Sequence, residues 1–423
     1  MPESTLDRVL VVGASLAGLR AAEALRAEGF AGALTIVGDE PCRPYDRPPL
    51  SKELLAGAQS AAEVALRGAD ELDAAWLLGD AATALDTGRR IVTLASGREL
   101  PYDGLVIATG SAPRRLPAFD VRLPNVLELR TLDDAQALRS ALGAPAAASP
   151  ASRAAPASAA APASAAAPAR LLIVGAGFVG VEVAATARAL GAEVTIVSLD
   201  APLAIAGEAV SQTASAMLAE HGVTTLIGRT VTETIAGDRF EAALLDDGTR
   251  IDADVVVVAV GATPCTGWLE GSGLTLDNGV VCDATLAASG VEGVVAAGDV
   301  ARWPNPTFGG MPMRIEHWTN AVEGGVHAAR TLLAPAGEAA GYAAVPSVWS
   351  DHFGVRLQTV GLPAQADRIE LVEGSLEERR FCAAAYREGR LIGALAYSMP
   401  KALVRYRIKL ARGAYLAEPE VAA

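Results

Sequence analysis

RLLIVGAGFVGVEVAATARALGAEVTIVSLD, residues 170–200, joins an apolar β-branched run, a glycine turn, an alanine-rich helix and a second apolar run. Its turn, Gly175-Ala176-Gly177-Phe178-Val179-Gly180, is a complete G-x-G-x-x-G at a strand-to-helix junction. The first glycine permits a tight turn, the second lets the backbone approach a pyrophosphate, and the third lets helix and strand pack closely. The helix that follows offers free amide hydrogens and a partial positive charge to phosphates. Residues 8–40, RVLVVGASLAGLRAAEALRAEGFAGALTIVGDE, repeat the same order at nearly the same length. Their turn, Gly13-Ala14-Ser15-Leu16-Ala17-Gly18, departs at the middle position, where Ser15 adds a Cβ but also a hydroxyl able to donate to a phosphate. Each copy is a β-α-β unit. A chain with two of them carries two dinucleotides, or one dinucleotide and a decayed copy.

At 423 residues the chain is too long for one ordinary core, so two or three domains are expected. A net charge of −14 and a pI near 4.9 argue against nucleic acid or an anionic membrane as the main partner. No apolar run is long enough to span a membrane, and the opening MPESTLDR is polar. Cys42, Cys265, Cys282 and Cys382 lie far apart, with neither C-x-x-C nor C-x-x-x-x-C, which leaves no zinc site and no dithiol pair. Scattered single cysteines suit a reducing cytoplasm. His221, His317, His327 and His352 are too dispersed to suggest a metal site, so no metal is expected and any redox chemistry must come from a bound cofactor.

Three further apolar runs, LVIATGSAPRRLP (105–117), DVVVVAVGATP (254–264) and GVEGVVAAGDVAR (290–302), end in glycine and read as buried strands leaving a sheet. RIEHWTNAVEGGVHAARTLL (314–333) has helical spacing. From about residue 340 short strand patterns lead to a final helix, KALVRYRIKLAR. Residues 143–169, an alanine/proline stretch with almost no large apolar side chain, read as a flexible surface insertion. The fold class is therefore α/β, with two Rossmann-like dinucleotide-binding domains and a C-terminal α+β domain.

Acids about 20 residues past each turn are candidates for a ribose hydroxyl. The first copy offers Asp39 and Glu40. The second has Ser198 at the strand end and Asp200 two residues on, with no arginine just after the strand, which favours NADH over NADPH. Asp299 in VVAAGD suits the polar groups of a cofactor or, equally, a helix cap. RPYDRPPLSK (43–52) is a stiff, charged loop whose prolines exclude a helix interior. By itself, Lys52 at its end reads as an exposed lysine.

The two glycine turns, RPYDRPPLSK, ATGSAPRRLP, the AAGD strand end and RIEHWTNA occur in order, and together they resemble the FAD-dependent NAD(P)H:ferredoxin reductases of the putidaredoxin reductase and Rieske-dioxygenase reductase type. The resemblance spans the chain apart from the insertion. It implies a discontinuous FAD-binding domain at 1–115 and 254–333, an NAD(P)H-binding domain at 116–253 and a C-terminal interface domain at 334–423. Carried over by position, Gly13, Ser15, Leu16, Ala17, Gly18, Ala108, Thr109, Gly110, Gly298 and Asp299 cradle FAD, with Asp299 on the ribityl chain and Glu40 or Asp39 on the adenosine ribose. Arg47 and Pro48 line the flavin pocket, and Glu316, His317 and Trp318 approach it from the C-terminal side. Gly175, Gly177, Phe178, Val179, Gly180, Asp200 and Gly261 go with the nicotinamide nucleotide. Lys52 falls beside the flavin and Glu182 is the acid that pairs with it, so these two are the candidate catalytic residues. Cys42 is the one thiol the sequence puts near the pocket, and it lacks a partner.

The implied activity is transfer of electrons from NADH through FAD to a separate iron–sulfur ferredoxin that supplies a cytochrome monooxygenase or a Rieske dioxygenase. Four scattered cysteines cannot hold a cluster within this chain. The alternatives are an NADH oxidase, a rubredoxin reductase, or a redox sensor of the apoptosis-inducing-factor kind. Because ferredoxins are usually acidic, Lys401, Arg405, Arg407, Lys409 and Arg412 form a candidate docking segment.

Overall fold

A computed structural model describes residues 6–143 and 167–416. All but the ends of the expected insertion lies outside the described residues. The elements that position the site start with β1 (Arg8–Val12), α1 (Leu16–Ala27), β2 (Ala33–Gly38), β3 (Ala75–Leu78) and β4 (Gly104–Ile107). The second unit contributes β5 (Val126–Leu127), β6 (Arg170–Val174), α2 (Phe178–Ala189), β7 (Glu193–Ser198), β8 (Thr224–Ile227) and β9 (Val255–Val258). The chain then adds β10 (Val294–Ala296) and α3 (Trp318–Leu333). It ends with β11 (Ser347–His352), β12 (Val355–Gly361), β13 (Arg368–Ser375), β14 (Arg380–Arg387), β15 (Arg390–Tyr397) and α4 (Pro400–Ala411).

Two parallel sheets result, in the orders β10-β4-β1-β2-β3 and β8-β7-β6-β9-β5. Beyond an exposed arginine at the start of each, their central strands β1 and β6 are apolar because both faces are covered. Each fully buried Val, Leu or Ile contributes roughly 1.5–3 kcal/mol of transfer free energy. The sequence repeat persists in atomic detail. Gly13 N donates to Val37 O at 2.8 Å, as Gly175 N does to Val197 O at 2.8 Å. At the opposite strand ends, Arg8 pairs with Asp103 at 2.9 Å and Arg170 with Asp254 at 2.7 Å.

The expected return to the first unit at residue 254 differs from the ladder. β9 pairs with β6, from Leu171 opposite Val255 to Val174 opposite Val258, so the crossover follows this strand. DVVVV is as apolar as any strand of the first sheet, and nothing in its composition distinguishes the two. The C-terminal domain is an antiparallel sheet, β11-β12-β15-β14-β13, with α4 packed on it.

α3 lies against α1 along a seam of small residues. A Cβ at Gly325 would fall 2.5 Å from Ala17 O. That contact sets the N-terminus of α3, with His317 and Trp318, beside the first glycine turn. No described helix is long and apolar enough to cross a membrane.

Candidate functional site

The two turns are built for close backbone approach. Gly13 has φ +122°, and a Cβ there would lie 2.1 Å from Ala108 O. Gly175 has φ +106°, and its Cβ would lie 2.3 Å from Ala259 O. Gly18 and Gly180 meet the carbonyls of Gly13 and Gly175 at 1.9 and 2.1 Å in the same way. The middle position is different: a Cβ at Gly177 meets nothing within 4 Å. This explains Ser15, which occupies the matching position in extended conformation, caps α1 without bonding to it, and lies 3.4 Å from Arg47 Nε. Its Cβ therefore costs the fold nothing, and its hydroxyl faces the cradle with Arg47. Leu16, Ala17 and Gly18 are in the first turn of α1, where amides have no intrahelical partner. Phe178 and Val179 hold the same places on α2.

The acids divide their work. Glu40 accepts from Arg47 Nη2 and from Tyr45 Oη, each at 2.5 Å, so its carboxylate orients the arginine. Asp39 remains exposed at the end of β2. Asp299 Oδ2 accepts from Ser111 Oγ at 2.8 Å and from Arg130 Nη2 at 3.3 Å. The carbonyl of Arg130 accepts from Arg47 Nη1 at 2.6 Å. Ala108, Thr109 and Gly110 follow β4, with Gly110 at φ +68°. Pro48 starts a short 3-10 turn, Pro48–Ser51.

Lys52 is not a surface lysine. Its side chain is 11% exposed, and its Nζ lies 2.9 Å from Oε1 of Glu182, which is 7% exposed. This pair, 130 positions apart, joins the loop of the first unit to α2 of the second. Ser51 Oγ donates to Glu182 Oε2 at 2.5 Å, and Thr186 Oγ1 donates to Ser51 O at 2.7 Å. From the C-terminal side, Trp318 Nε1 donates to Asp46 Oδ1 at 2.6 Å and packs edge-on against Trp349, 5.9 Å between ring centres.

Other expected residues have the following surroundings. Glu316 bonds to Arg314 at 2.5 Å, so its side chain is engaged at the rim. Ser198 Oγ accepts from Ala176 N at 3.3 Å, closing the glycine turn, while Asp200 is exposed. Gly261, at φ +94°, accepts from Arg114 N at 2.9 Å in the crossover after β9. The thiol expected near the pocket, Cys42, is joined by Cys265. Its amide donates to Gly110 O at 3.0 Å, and its carbonyl accepts from Thr109 Oγ1 at 2.9 Å. Ser51 and Ser111 lie inside the quoted motifs RPYDRPPLSK and ATGSAPRRLP but carry no signal of their own, and Arg130, Trp349 and Ser350 find their partners only across long sequence separations.

The residues present fit a flavin dinucleotide. The Gly13 turn is a cradle that a Cβ would fill. Beside it stand two arginines, Arg47 and Arg130, and His317 keeps a buried Nδ1 with no partner among the described residues. Burial holds the His317 imidazole down to about 4, against a smaller opposing pull from Asp299. A cavity of about 650 Å³ is lined by Lys52, Thr186, Arg188, His221, His352 and Phe353, and by neither glycine turn.

Burial also lowers His352, 2% exposed, to about 4. Unfolded histidine takes up protons below about pH 6.5 whereas folded His352 stays neutral to about 4. The unfolded state thus binds more protons in that window, and stability present above it is lost as pH falls, by about 3 kcal/mol in all. The melting temperature should decline between pH 6.5 and 4, less steeply in His352→Gln; an identical slope in both proteins would refute this.

The family model for pyridine nucleotide-disulphide oxidoreductases matches residues 7–325, three quarters of the chain and both glycine turns. The chain belongs to this family. A second model, for the reductase C-terminal domain, matches residues 347–423. Among its relatives in this pyridine nucleotide-disulphide oxidoreductase family, rhodocoxin reductase of Rhodococcus erythropolis is 35% identical over 93% of this chain and 87% of its own. The ferredoxin–NAD(+) reductase component of the p-cumate 2,3-dioxygenase system of Pseudomonas putida is 36% identical over 86% and 83%. A solved structure of the covalent putidaredoxin reductase–putidaredoxin complex superimposes with TM-score 0.85 at 31% identity, covering 96% of this chain and 93% of that one. All four cysteines are free thiols, and burial raises each, Cys282 to about 12.

Proposed function

We propose that this protein is a ferredoxin reductase that takes electrons from NADH through FAD and passes them singly to a separate iron–sulfur ferredoxin, which supplies an oxygenase. The observation that carries this reading is the buried Lys52–Glu182 pair at the junction of the two nucleotide-binding units, in a chain without a dithiol. FAD, when bound, supplies hydride acceptance and one-electron release. The chain's own residues bind, orient and tune. The Gly13 turn and the start of α1 would hold the pyrophosphate with Arg47 and Arg130, and Asp299 would take the ribityl hydroxyls. Pro48 and Trp318 would wall the ring, and Lys52 would set a positive charge beside it that favours added electron density. α2 and Gly177 seat the dinucleotide donor.

NADH is the proposed donor. Arg229, whose amide lies beside Ser198 O at 3.3 Å, directs its guanidinium to Asp247 at 3.1 Å, so its charge is already matched, while Asp200 stands free to take a 2′-hydroxyl. A cytoplasmic location fits four free thiols. The relatives named as ferredoxin reductases support a ferredoxin acceptor. The test is cytochrome c reduction by NADH with and without an added ferredoxin. Strong ferredoxin dependence is expected, and a rate indifferent to ferredoxin would favour the oxidase or sensor readings.

α4 is the proposed docking element. Arg405 pairs with Glu373 at 3.4 Å and Arg407 with Glu323 at 2.7 Å, while Lys401, Lys409 and Arg412 are exposed without an ion pair among the described residues. The last three therefore carry the surplus charge. Reversing them to Glu should raise the KM for ferredoxin about tenfold at low salt and less at high salt, with direct dye reduction intact. Equal loss of both activities would place docking elsewhere.

A further inference from the structure

The carboxylate of Glu182, on the second unit, is held by side chains of the first unit and of the C-terminal domain. Oε1 accepts from Lys52 Nζ at 2.9 Å and from Ser350 Oγ at 2.7 Å, and Oε2 accepts from Ser51 Oγ at 2.5 Å. Ser350 is on β11 of the C-terminal domain and is fully buried, so its hydroxyl reaches Glu182 from inside the packed interface. We propose that Ser350 is a positioning residue: by fixing one oxygen of Glu182, the C-terminal domain sets where Lys52 stands against the flavin and so controls the rate of hydride transfer. This inference rests on the role given above to the Lys52–Glu182 pair.

The physical case is one of orientation. A glutamate side chain ends in a broad, nearly two-fold torsion, so one salt bridge alone does not fix its plane. Ser51 belongs to the same loop as Lys52 and is tied to α2 through Thr186, whereas Ser350 is anchored in a different domain, in the β11–β12 ladder opposite Leu357. Strand rigidity also sets the neighbouring residue, Trp349, which packs on Trp318. A single strand of the C-terminal domain thus touches both the acid that orients Lys52 and the aromatic wall of the pocket. Loss of the Ser350 hydroxyl leaves Oε1 with Lys52 as its one partner among the described residues, so the carboxylate is held less firmly on the side that faces the ammonium.

The test is stopped-flow reduction by NADH, per bound flavin, of the wild-type protein, Ser350→Ala, Ser350→Thr, Lys52→Met and the Lys52→Met/Ser350→Ala double variant. Ser350→Ala should slow the limiting reduction rate about tenfold, the scale of one hydrogen bond to a charged group, with the apparent affinity for NADH unchanged. Ser350→Thr, which keeps the hydroxyl, should restore most of the rate. In the Lys52→Met background, removal of the Ser350 hydroxyl should have no further effect. If Ser350→Ala reduces flavin at the wild-type rate, or slows it equally in both backgrounds, the positioning role is wrong even though Lys52 matters. If Lys52→Met itself reduces at the wild-type rate, the reading of the pair fails, and the positioning role with it.

Discussion

Lys52→Met is expected to slow reduction of the bound flavin at saturating NADH by about a hundredfold, the usual effect of removing one preorganised charge from a site where charge develops. Methionine retains the unbranched stem, so packing is largely preserved while the charge is lost. The substitution also has a structural cost, because Glu182 is left as a buried carboxylate without its cation. Breaking such a pair from one side costs about 3–5 kcal/mol, and the melting temperature should fall accordingly. Adding Glu182→Gln removes the stranded charge and should recover most of that stability without recovering the rate. Calorimetry and stopped-flow on the single and double variants separate the two effects. A double variant that regained both would mean that Lys52 serves only the fold.

Gly13→Ala is expected to yield a protein without flavin and less stable by about 4 kcal/mol, among the largest losses a single methyl group can cause. Its Cβ would sit 2.1 Å from the carbonyl of Ala108, and φ +122° is closed to L side chains. Neither Ala108 nor β1 can retreat, since β1 is the central strand of the first sheet and Ala108, directly after β4, is bonded through its amide to Val12 O at 2.7 Å. Gly177→Ala is the informative contrast. Nothing of the protein lies within 4 Å of its Cβ, so the variant should fold, keep its flavin and lose affinity only for NADH, by about tenfold. Absorbance of the purified proteins, with the KM for NADH, decides the matter. A flavin-replete Gly13→Ala would show that the first turn does not bind the cofactor.

Which parts of this could be read from sequence follows from how local each signal is. The two β-α-β units announce themselves because glycine at positive φ, apolar strands and an alanine-rich helix all fall within about 30 residues of one another. Lys52 could be pointed to only through the resemblance; composition alone places it at the surface, yet it is buried against a residue 130 positions away. Ser350 left no trace at all, since an isolated serine in a strand is unremarkable until its partner, 168 positions earlier, is known. Arg130 was hidden for the same reason. The crossover after β9 was misplaced by a few residues because a buried parallel strand reads identically in either sheet. The Ser15 departure ceased to matter once the matching glycine, Gly177, was found to face open space.

Anaerobic titration of the purified protein with NADH, followed in the flavin visible spectrum, tests the central claim most directly. A yellow protein that bleaches with stoichiometric NADH, and much less readily with NADPH, is the expected result. A colourless preparation that binds no added FAD, or a flavin that NADH leaves oxidised, would contradict it.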